Sequence, residues 1–127
     1  GMQVFLTKSF EMGEHDGLNF IEGEVVSITK LSKIKNIKVP HISWNEIVLN
    51  EKGKDKAKIN NEILNKSYYF IHSYLAITKE KEDTLAYAKY FDVNVPSILC
   101  HENILGCQFH PEKSGKNGLK FLEKIIN

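Results

Sequence analysis

Short apolar segments, separated by only a few polar residues, are the feature that most constrains the fold of this chain. Each of these segments holds four to seven residues rich in β-branched or aromatic side chains, which is typical of β-strands. Near the C-terminus, residues 118–126 carry apolar side chains at helical spacing and predict an amphipathic helix, with Ser114 as its N-cap. The predicted strands are residues 24–29, 44–49, 68–71, 84–90, 95–100 and 105–109.

Helices are scarce beside these strands. Residues 4–10 predict a second helix, and the polar residues 50–61 predict a loop. Two helices cannot cover both faces of a sheet of five or six strands. The 127 residues therefore predict one α/β domain whose other strands and helices lie elsewhere. Because such a sheet exposes an edge and an apolar face, we also expect the chain to self-associate.

The composition excludes several classes of partner. Lys and Arg number 17 against 16 Asp and Glu, which gives no electrostatic argument for binding nucleic acid or an anionic membrane. No apolar run approaches the roughly 18 residues of a membrane-spanning helix. There is no charged-then-apolar leader, so we expect a cytoplasmic protein. The two cysteines, Cys100 and Cys107, lie in apolar segments and predict buried thiols rather than a disulfide.

The strongest signal for chemistry is the string Q-F-H-P-E-K-S at residues 108–114. Pro111 has no N–H and a fixed φ, so the preceding strand must end there. His110 and Glu112, two residues apart at a strand end, can point to the same side. A carboxylate beside an imidazole fixes its tautomer and stabilises the imidazolium, as in the second half of a nucleophile–base–orienter triad. Alone, an H-x-E pair is more often an ordinary surface pair at a turn.

The longer string resembles the signature that ends the class I (triad-type) glutamine amidotransferase domain. Residues 72–74, H-S-Y after a strand, and residues 1–3, G-M-Q, resemble two further motifs of that family. The resemblance covers essentially residues 1–127 and implies a flavodoxin-like α/β domain, a mixed sheet with flanking helices, of which this chain is the C-terminal two-thirds. It implies that His110 and Glu112 complete a Cys–His–Glu triad that hydrolyses glutamine to glutamate and ammonia. The residues it implies for glutamine binding are Gln3, Glu11, Ser73 and Tyr74.

A further string narrows the resemblance. Residues 39–45, V-P-H-I-S-W-N, are similar to the V-P-H-x-G-W-N of the glutaminase subunits of imidazole glycerol phosphate synthase, an enzyme of histidine biosynthesis. In those subunits the string faces a (β/α)8-barrel cyclase across the ammonia path. The resemblance therefore implies a heterodimer with His41, Trp44 and Asn45 at the interface. Ser43 replaces the usual Gly, which would strain the loop if that position needs a positive φ. Taken alone, Trp44 is better read as a half-buried strand aromatic.

The family pattern C-x-G-M-Q places the nucleophilic cysteine two residues before Gly1, so we expect the chain alone to be inactive. Cys107 lies three residues before His110, on the opposite face of a strand, and does not replace the nucleophile. Two alternatives stay open: a paralogous glutaminase that supplies ammonia for amidine groups on surface sugars, and a non-catalytic remnant. His15, His41 and His101 lack metal-ligand spacing, so we expect neither a metal nor a cofactor.

Overall fold

The computed structural model of this chain describes residues 23–53, 62–101 and 104–126, except for the side chains of residues 104, 125 and 126. The helix predicted for residues 4–10 lies outside the described residues, as does most of the loop predicted for residues 50–61. Among the described helices, none combines the length and the apolar character needed to cross a membrane.

The described residues form strands joined by short connections, with one longer helix at the C-terminal end. The strands are β1 (Gly23–Ser27), β2 (His41–Leu49), β3 (Ser67–His72), β4 (Tyr74–Thr78), β5 (Thr84–Tyr90), β6 (Val93–His101) and β7 (Ile104–Cys107). The α-helices are α1 (Ile28–Leu31) and α2 (Gly115–Ile126), and 3-10 turns lie at Glu51–Gly53, Lys81–Asp83 and Pro111–Lys113.

The strands form two sheets. Five of them pair in the order β3-β2-β5-β6-β7, and β1 pairs with β4 in a separate ribbon. Every strand pair among the described residues is antiparallel. Sheet and helix occur together, as the predicted α/β class requires. No parallel strand pair, which the predicted mixed sheet would contain, occurs among the described residues.

Several elements differ from the sequence-based prediction, and β2 and α2 each begin three residues earlier than predicted. The strand predicted for residues 24–29 ends at Ser27, because the Ser27 hydroxyl accepts a hydrogen bond from the Thr29 N–H and starts α1. The strand predicted for residues 105–109 ends at Cys107. β4 was not predicted at all: the chain bends at Ser73, and the following apolar residues pair with β1.

An aromatic cluster holds α2 against the five-stranded sheet. Tyr68 of β3, Phe109 after β7 and Phe121 of α2 are all fully buried. The ring centroids of Tyr68 and Phe109 lie 4.3 Å apart, and those of Phe109 and Phe121 lie 5.0 Å apart. Since Phe109 directly precedes His110, this packing fixes the position of the histidine beside β3.

Gly118 sets how closely α2 approaches the 3-10 turn at Pro111–Lys113. A Cβ atom at position 118 would lie 1.9 Å from the Pro111 carbonyl oxygen and 2.9 Å from the Ser114 Cβ. Both are far inside van der Waals contact, and the first is to backbone that cannot rotate away. The sequence therefore needs glycine here despite its poor helix propensity.

We expect Gly118→Ala to lower the free energy of unfolding by about 1–3 kcal/mol, the usual cost of overpacking. The better helix propensity of alanine should offset up to about 1 kcal/mol of this loss. A net loss of stability would therefore show that the steric overlap outweighs the gain in helix propensity. Urea unfolding followed by circular dichroism would measure it. Lys116→Ala, on the exposed side of α2, is the matched control and should change stability by less than about 0.5 kcal/mol. A Gly118→Ala variant more stable than the parent would contradict the close approach.

Candidate active site

His110 is fixed by the backbone on both sides. The Gln108 N–H donates to the Ser97 carbonyl oxygen at 2.9 Å, which ties the segment after β7 to β6. The His110 N–H donates to the Tyr69 carbonyl oxygen at 3.0 Å, which ties it to β3. Pro111 then opens the 3-10 turn, as expected of a residue with a fixed φ and no N–H.

The side chains of His110 and Glu112 meet as an imidazole–carboxylate pair. His110 Nδ1 lies 3.2 Å from Glu112 Oε2, and the two side chains are 21% and 55% exposed respectively. Because an ionised carboxylate only accepts hydrogen bonds, Nδ1 carries the proton and Nε2 of the neutral ring keeps a lone pair. The pair can therefore accept a proton at Nε2 and stabilise the resulting imidazolium.

Ser114 locks the turn that carries this pair. Its buried hydroxyl accepts from the Tyr69 N–H at 2.9 Å and donates to the His110 carbonyl oxygen at 2.7 Å. Ser114 does directly precede α2, as predicted, but its hydroxyl binds the turn and β3 instead of capping the helix. The motif's serine thus joins three segments at the site, a role that its sequence position alone does not indicate.

The H-S-Y motif forms the connection between the two sheets. β3 ends at His72, Ser73 forms a bend, and β4 begins at Tyr74. His72 Nδ1 lies 2.8 Å from the Tyr74 carbonyl oxygen, which closes the bend. Tyr69, the residue that binds the His110 backbone, lies on the same strand as His72. The H-S-Y motif therefore lies at the end of β3, and the Q-F-H-P-E-K-S motif is bound to the same strand through Tyr69. Gln3 and Glu11 lie outside the described residues.

The predicted interface residues divide between the two faces of β2. His41 is fully buried, and its side chain contacts Asn45 and His72, so it would reach an interface only through its neighbours. Trp44 is 53% exposed and packs edge-on against Tyr69, with ring centroids 5.9 Å apart. Ser43 lies within β2 and is not among the described residues with positive φ, so the strain considered for it does not arise.

Burial determines the protonation of the two histidines in the interior. Desolvation lowers the pKa of His41, partly offset by its contact with Asn45. Desolvation also lowers the pKa of His72, to about 4, with further contributions from the nearby His41 and His110. Both rings are therefore neutral at pH 7. Sequence reasoning did not pair these residues, because β2 and β3 register is needed to place His41 opposite His72.

Neither cysteine is placed to act as the nucleophile. Cys100 and Cys107 are both buried, as predicted. Burial raises the pKa of the Cys107 thiol well above its usual value, and its sulfur donates to the Phe109 carbonyl oxygen at 3.4 Å. A buried thiol held in its protonated form is a poor nucleophile.

Comparison with known proteins adds independent information. Residues 1–126 match the family model described as "Glutamine amidotransferase class-I". Among similar curated proteins is "Imidazole glycerol phosphate synthase subunit HisH 1" of Legionella pneumophila (strain Lens), 41% identical over 129 residues that cover 99% of this chain and 61% of the relative.

Two subunits named HisH from other organisms show the same pattern. The one from Lactococcus lactis (strain IL1403) is 38% identical over 126 residues, which cover 99% of this chain and 58% of the relative. The one from Pyrococcus furiosus is 39% identical over 126 residues, which cover 98% of this chain and 60% of the relative. The chain thus spans 58–61% of the length of these relatives.

Proposed function

The chain belongs to the class I glutamine amidotransferase family, and from that premise we propose that it carries the base half of a glutaminase site. His110 is the general base and Glu112 the residue that orients it. The observation that carries the proposal is the 3.2 Å contact between His110 Nδ1 and Glu112 Oε2, which leaves Nε2 free to take a proton.

In the proposed reaction, His110 Nε2 takes the proton of a cysteine thiol supplied by the segment that precedes residue 1 in the family pattern. The thiolate attacks the glutamine amide carbon, and the imidazolium returns its proton to the departing ammonia. Water then releases glutamate from the thioester, with His110 again acting as the base. Glu112 stabilises the imidazolium that forms in each half of the cycle.

We propose that Ser73 and Tyr74 hold the glutamine carboxylate through the backbone of their bend. The bend is closed by the hydrogen bond from His72 Nδ1 to the Tyr74 carbonyl oxygen. Gln3 and Glu11 remain predicted to complete the pocket.

The experiment uses a joined enzyme, in which the N-terminal part of the Legionella pneumophila relative precedes Gly1 of this chain. We expect it to release ammonia from glutamine, and we expect the 127-residue chain alone to release none, since both of its thiols are buried. His110→Ala in the joined enzyme is the control for background hydrolysis. Release by the joined enzyme that is equal to this control would refute the proposed role of His110.

We further propose that the chain delivers ammonia to a barrel-shaped cyclase partner as a glutaminase subunit of imidazole glycerol phosphate synthase. The names of the relatives support this pathway. The outer face of β2 supports a partner: Ile42, Trp44 and Val48 are 52%, 53% and 45% exposed. Glu46, on the same face, is exposed as well. Several large apolar side chains exposed together on one strand face are typical of a covered surface.

Trp44→Ala in the joined enzyme should weaken the coupling of glutamine hydrolysis to the synthase reaction, leaving the reactivity of the cysteine largely intact. The indole provides the largest apolar contact on this face, and its loss removes packing at the centre of the interface. The ratio of synthase product to ammonia consumed, measured with the cyclase of the Legionella pneumophila enzyme, would test this. Val48→Ala, which removes less apolar surface from the same face, should weaken the coupling less than Trp44→Ala does. An unchanged ratio for Trp44→Ala would mean that the exposed tryptophan is structural.

A further inference from the structure

Two buried histidines form a hydrogen-bonded chain that the proposed catalytic roles do not use. His41 Nδ1 lies 2.8 Å from His72 Nε2. At one end, His41 Nε2 lies 3.0 Å from Ser43 Oγ and 2.8 Å from Asn45 Oδ1. At the other end, His72 Nδ1 lies 2.8 Å from the Tyr74 carbonyl oxygen.

The Tyr74 end fixes the direction of the central hydrogen bond. A carbonyl oxygen only accepts, so His72 Nδ1 must carry a proton, and Nε2 of the neutral ring must accept one from His41 Nδ1. At the other end, Nε2 of a neutral His41 ring accepts from the Ser43 hydroxyl, which also lies within hydrogen-bond reach of Asn45 Oδ1. The Asn45 oxygen cannot donate, so its 2.8 Å contact with His41 Nε2 is a hydrogen bond only when Nε2 carries a proton.

The rings in this chain have little freedom to move. His41 is stacked between Phe70, at a centroid distance of 5.1 Å, and Tyr90, at 4.1 Å. Asn45 is held in turn by the bond from its Nδ2 to the Lys89 carbonyl oxygen at 3.0 Å, which orients Oδ1 towards His41. Because packing prevents the rings from reorienting, a displacement of the atoms at one end of this series of hydrogen bonds also shifts the atoms at the other end.

The two ends of this series of hydrogen bonds lie in different parts of the molecule. Ser43 and Asn45 flank Trp44 on β2, the strand with the exposed apolar face. Tyr74 belongs to the bend that we propose as the glutamine carboxylate site. The hydrogen bonds run from β2 to this bend through His41 and His72, which are Cα partners in the β2–β3 register.

We propose that His41 and His72 are positioning residues whose hydrogen bond couples the Trp44 face of β2 to the bend at Ser73 and Tyr74. A partner that shifts β2 would thereby change how the bend holds glutamine. The effect on glutamine binding rests on the proposed function, whereas the hydrogen bond between the two histidines does not. Besides each other, the titratable groups facing the two rings are His110, beside His72, and Tyr90, stacked on His41.

The hydrogen bond can be observed without any activity. In the joined enzyme with nitrogen-15-labelled histidine, we expect a scalar coupling across the N–H···N bond between His41 Nδ1 and His72 Nε2, assigned with His41→Gln and His72→Asn. Its absence in folded protein would overturn the inference. Since no glutamine is present, this result is independent of whether the enzyme hydrolyses glutamine.

The positioning role can be separated from a purely structural one by two amides at the same position. In His72→Asn the amide nitrogen takes the place of Nδ1 and can still donate to Tyr74, whereas in His72→Gln it takes the place of Nε2 and cannot. We expect His72→Gln to raise KM for glutamine about tenfold, the effect of one hydrogen bond, and His72→Asn to raise it markedly less. Equal increases in KM would overturn the role assigned to Nδ1. His101→Asn, at a partly exposed histidine paired with Asp83, is the control and should leave KM unchanged.

The coupling is tested by a double-mutant cycle with Trp44→Ala and His41→Gln, measured as the change in KM for glutamine when the cyclase partner is added. Two residues in one chain of contacts should give a combined effect smaller than the product of the single effects. Strictly multiplicative effects would overturn the coupling. Loss of hydrolysis in every variant, with the scalar coupling intact, would instead count against the proposed function.

Discussion

Replacing Glu112 with glutamine in the joined enzyme is expected to lower kcat for glutamine hydrolysis by at least about 10²-fold, within the range of about 10²–10⁴-fold seen for triad orienters. Glutamine is isosteric with glutamate, but its amide cannot stabilise the imidazolium that forms when His110 takes a proton. It can also present an N–H to Nδ1 and so select the wrong tautomer. Because Glu112 is 55% exposed, water can replace part of its effect, which favours the lower end of the range.

Steady-state ammonia release over a range of glutamine concentrations separates the effect on kcat from that on KM. We expect KM to change little, since Glu112 acts on the base and not on the substrate. Glu123→Gln, the same substitution on the exposed side of α2, is the matched control and should leave both constants unchanged. A loss in kcat of less than about threefold for Glu112→Gln would remove Glu112 from the proposed triad.

Much of the architecture was accessible from the sequence because local signals were strong. The family resemblance and the α/β domain class are confirmed by the match over residues 1–126 and by the 38–41% identical relatives. The predicted strand at residues 84–90 coincides with β5, and the amphipathic stretch at residues 118–126 lies within α2. In each case the apolar pattern and the turn residues around it point to the same structure.

Features that depend on strand register were not accessible. His41 and His72 are 31 residues apart, and only the pairing of β2 with β3 places them opposite each other. Ser114 was predicted as a helix cap from its neighbours in the sequence, whereas its hydroxyl binds the backbone of Tyr69, 45 residues away. A single sequence carries local propensity well, but it contains no direct signal for which strands become neighbours.

The exposed tryptophan shows the same division between local and long-range information. Its position on the outer face of β2 follows from alternation once the strand is recognised, because Ile42 and Trp44 must share a face. That the opposite face would be lined by His41, Ser43 and Asn45 follows equally. Alternation could not indicate that these inner polar side chains contact one another and not a ligand.

The buried histidine pair predicts a specific acid sensitivity of the folded chain. The pKa of His72 is lowered from 6.5 to about 4 by burial, so the unfolded chain binds a proton at a higher pH than the native chain does. The contribution to stability is therefore complete above pH 6.5 and is lost as the pH falls towards 4. A shift of this size corresponds to about 3 kcal/mol in the free energy of unfolding. His41, whose pKa is also lowered, adds to the loss in the same direction.

Urea unfolding of the 127-residue chain between pH 7 and pH 4 would measure this loss, with His72→Asn as the comparison. Carboxylates also titrate in this range, so the relevant quantity is the difference in pH dependence between parent and variant. We expect His72→Asn to be less stable than the parent at pH 7 but to lose about 3 kcal/mol less on acidification, because asparagine has no proton to bind. His101→Asn, at a 40% exposed histidine, should retain the acid sensitivity of the parent. If the stability of parent and His72→Asn fell in parallel, His72 would titrate alike in the folded and unfolded chain, and the buried neutral pair would be the wrong description of this site.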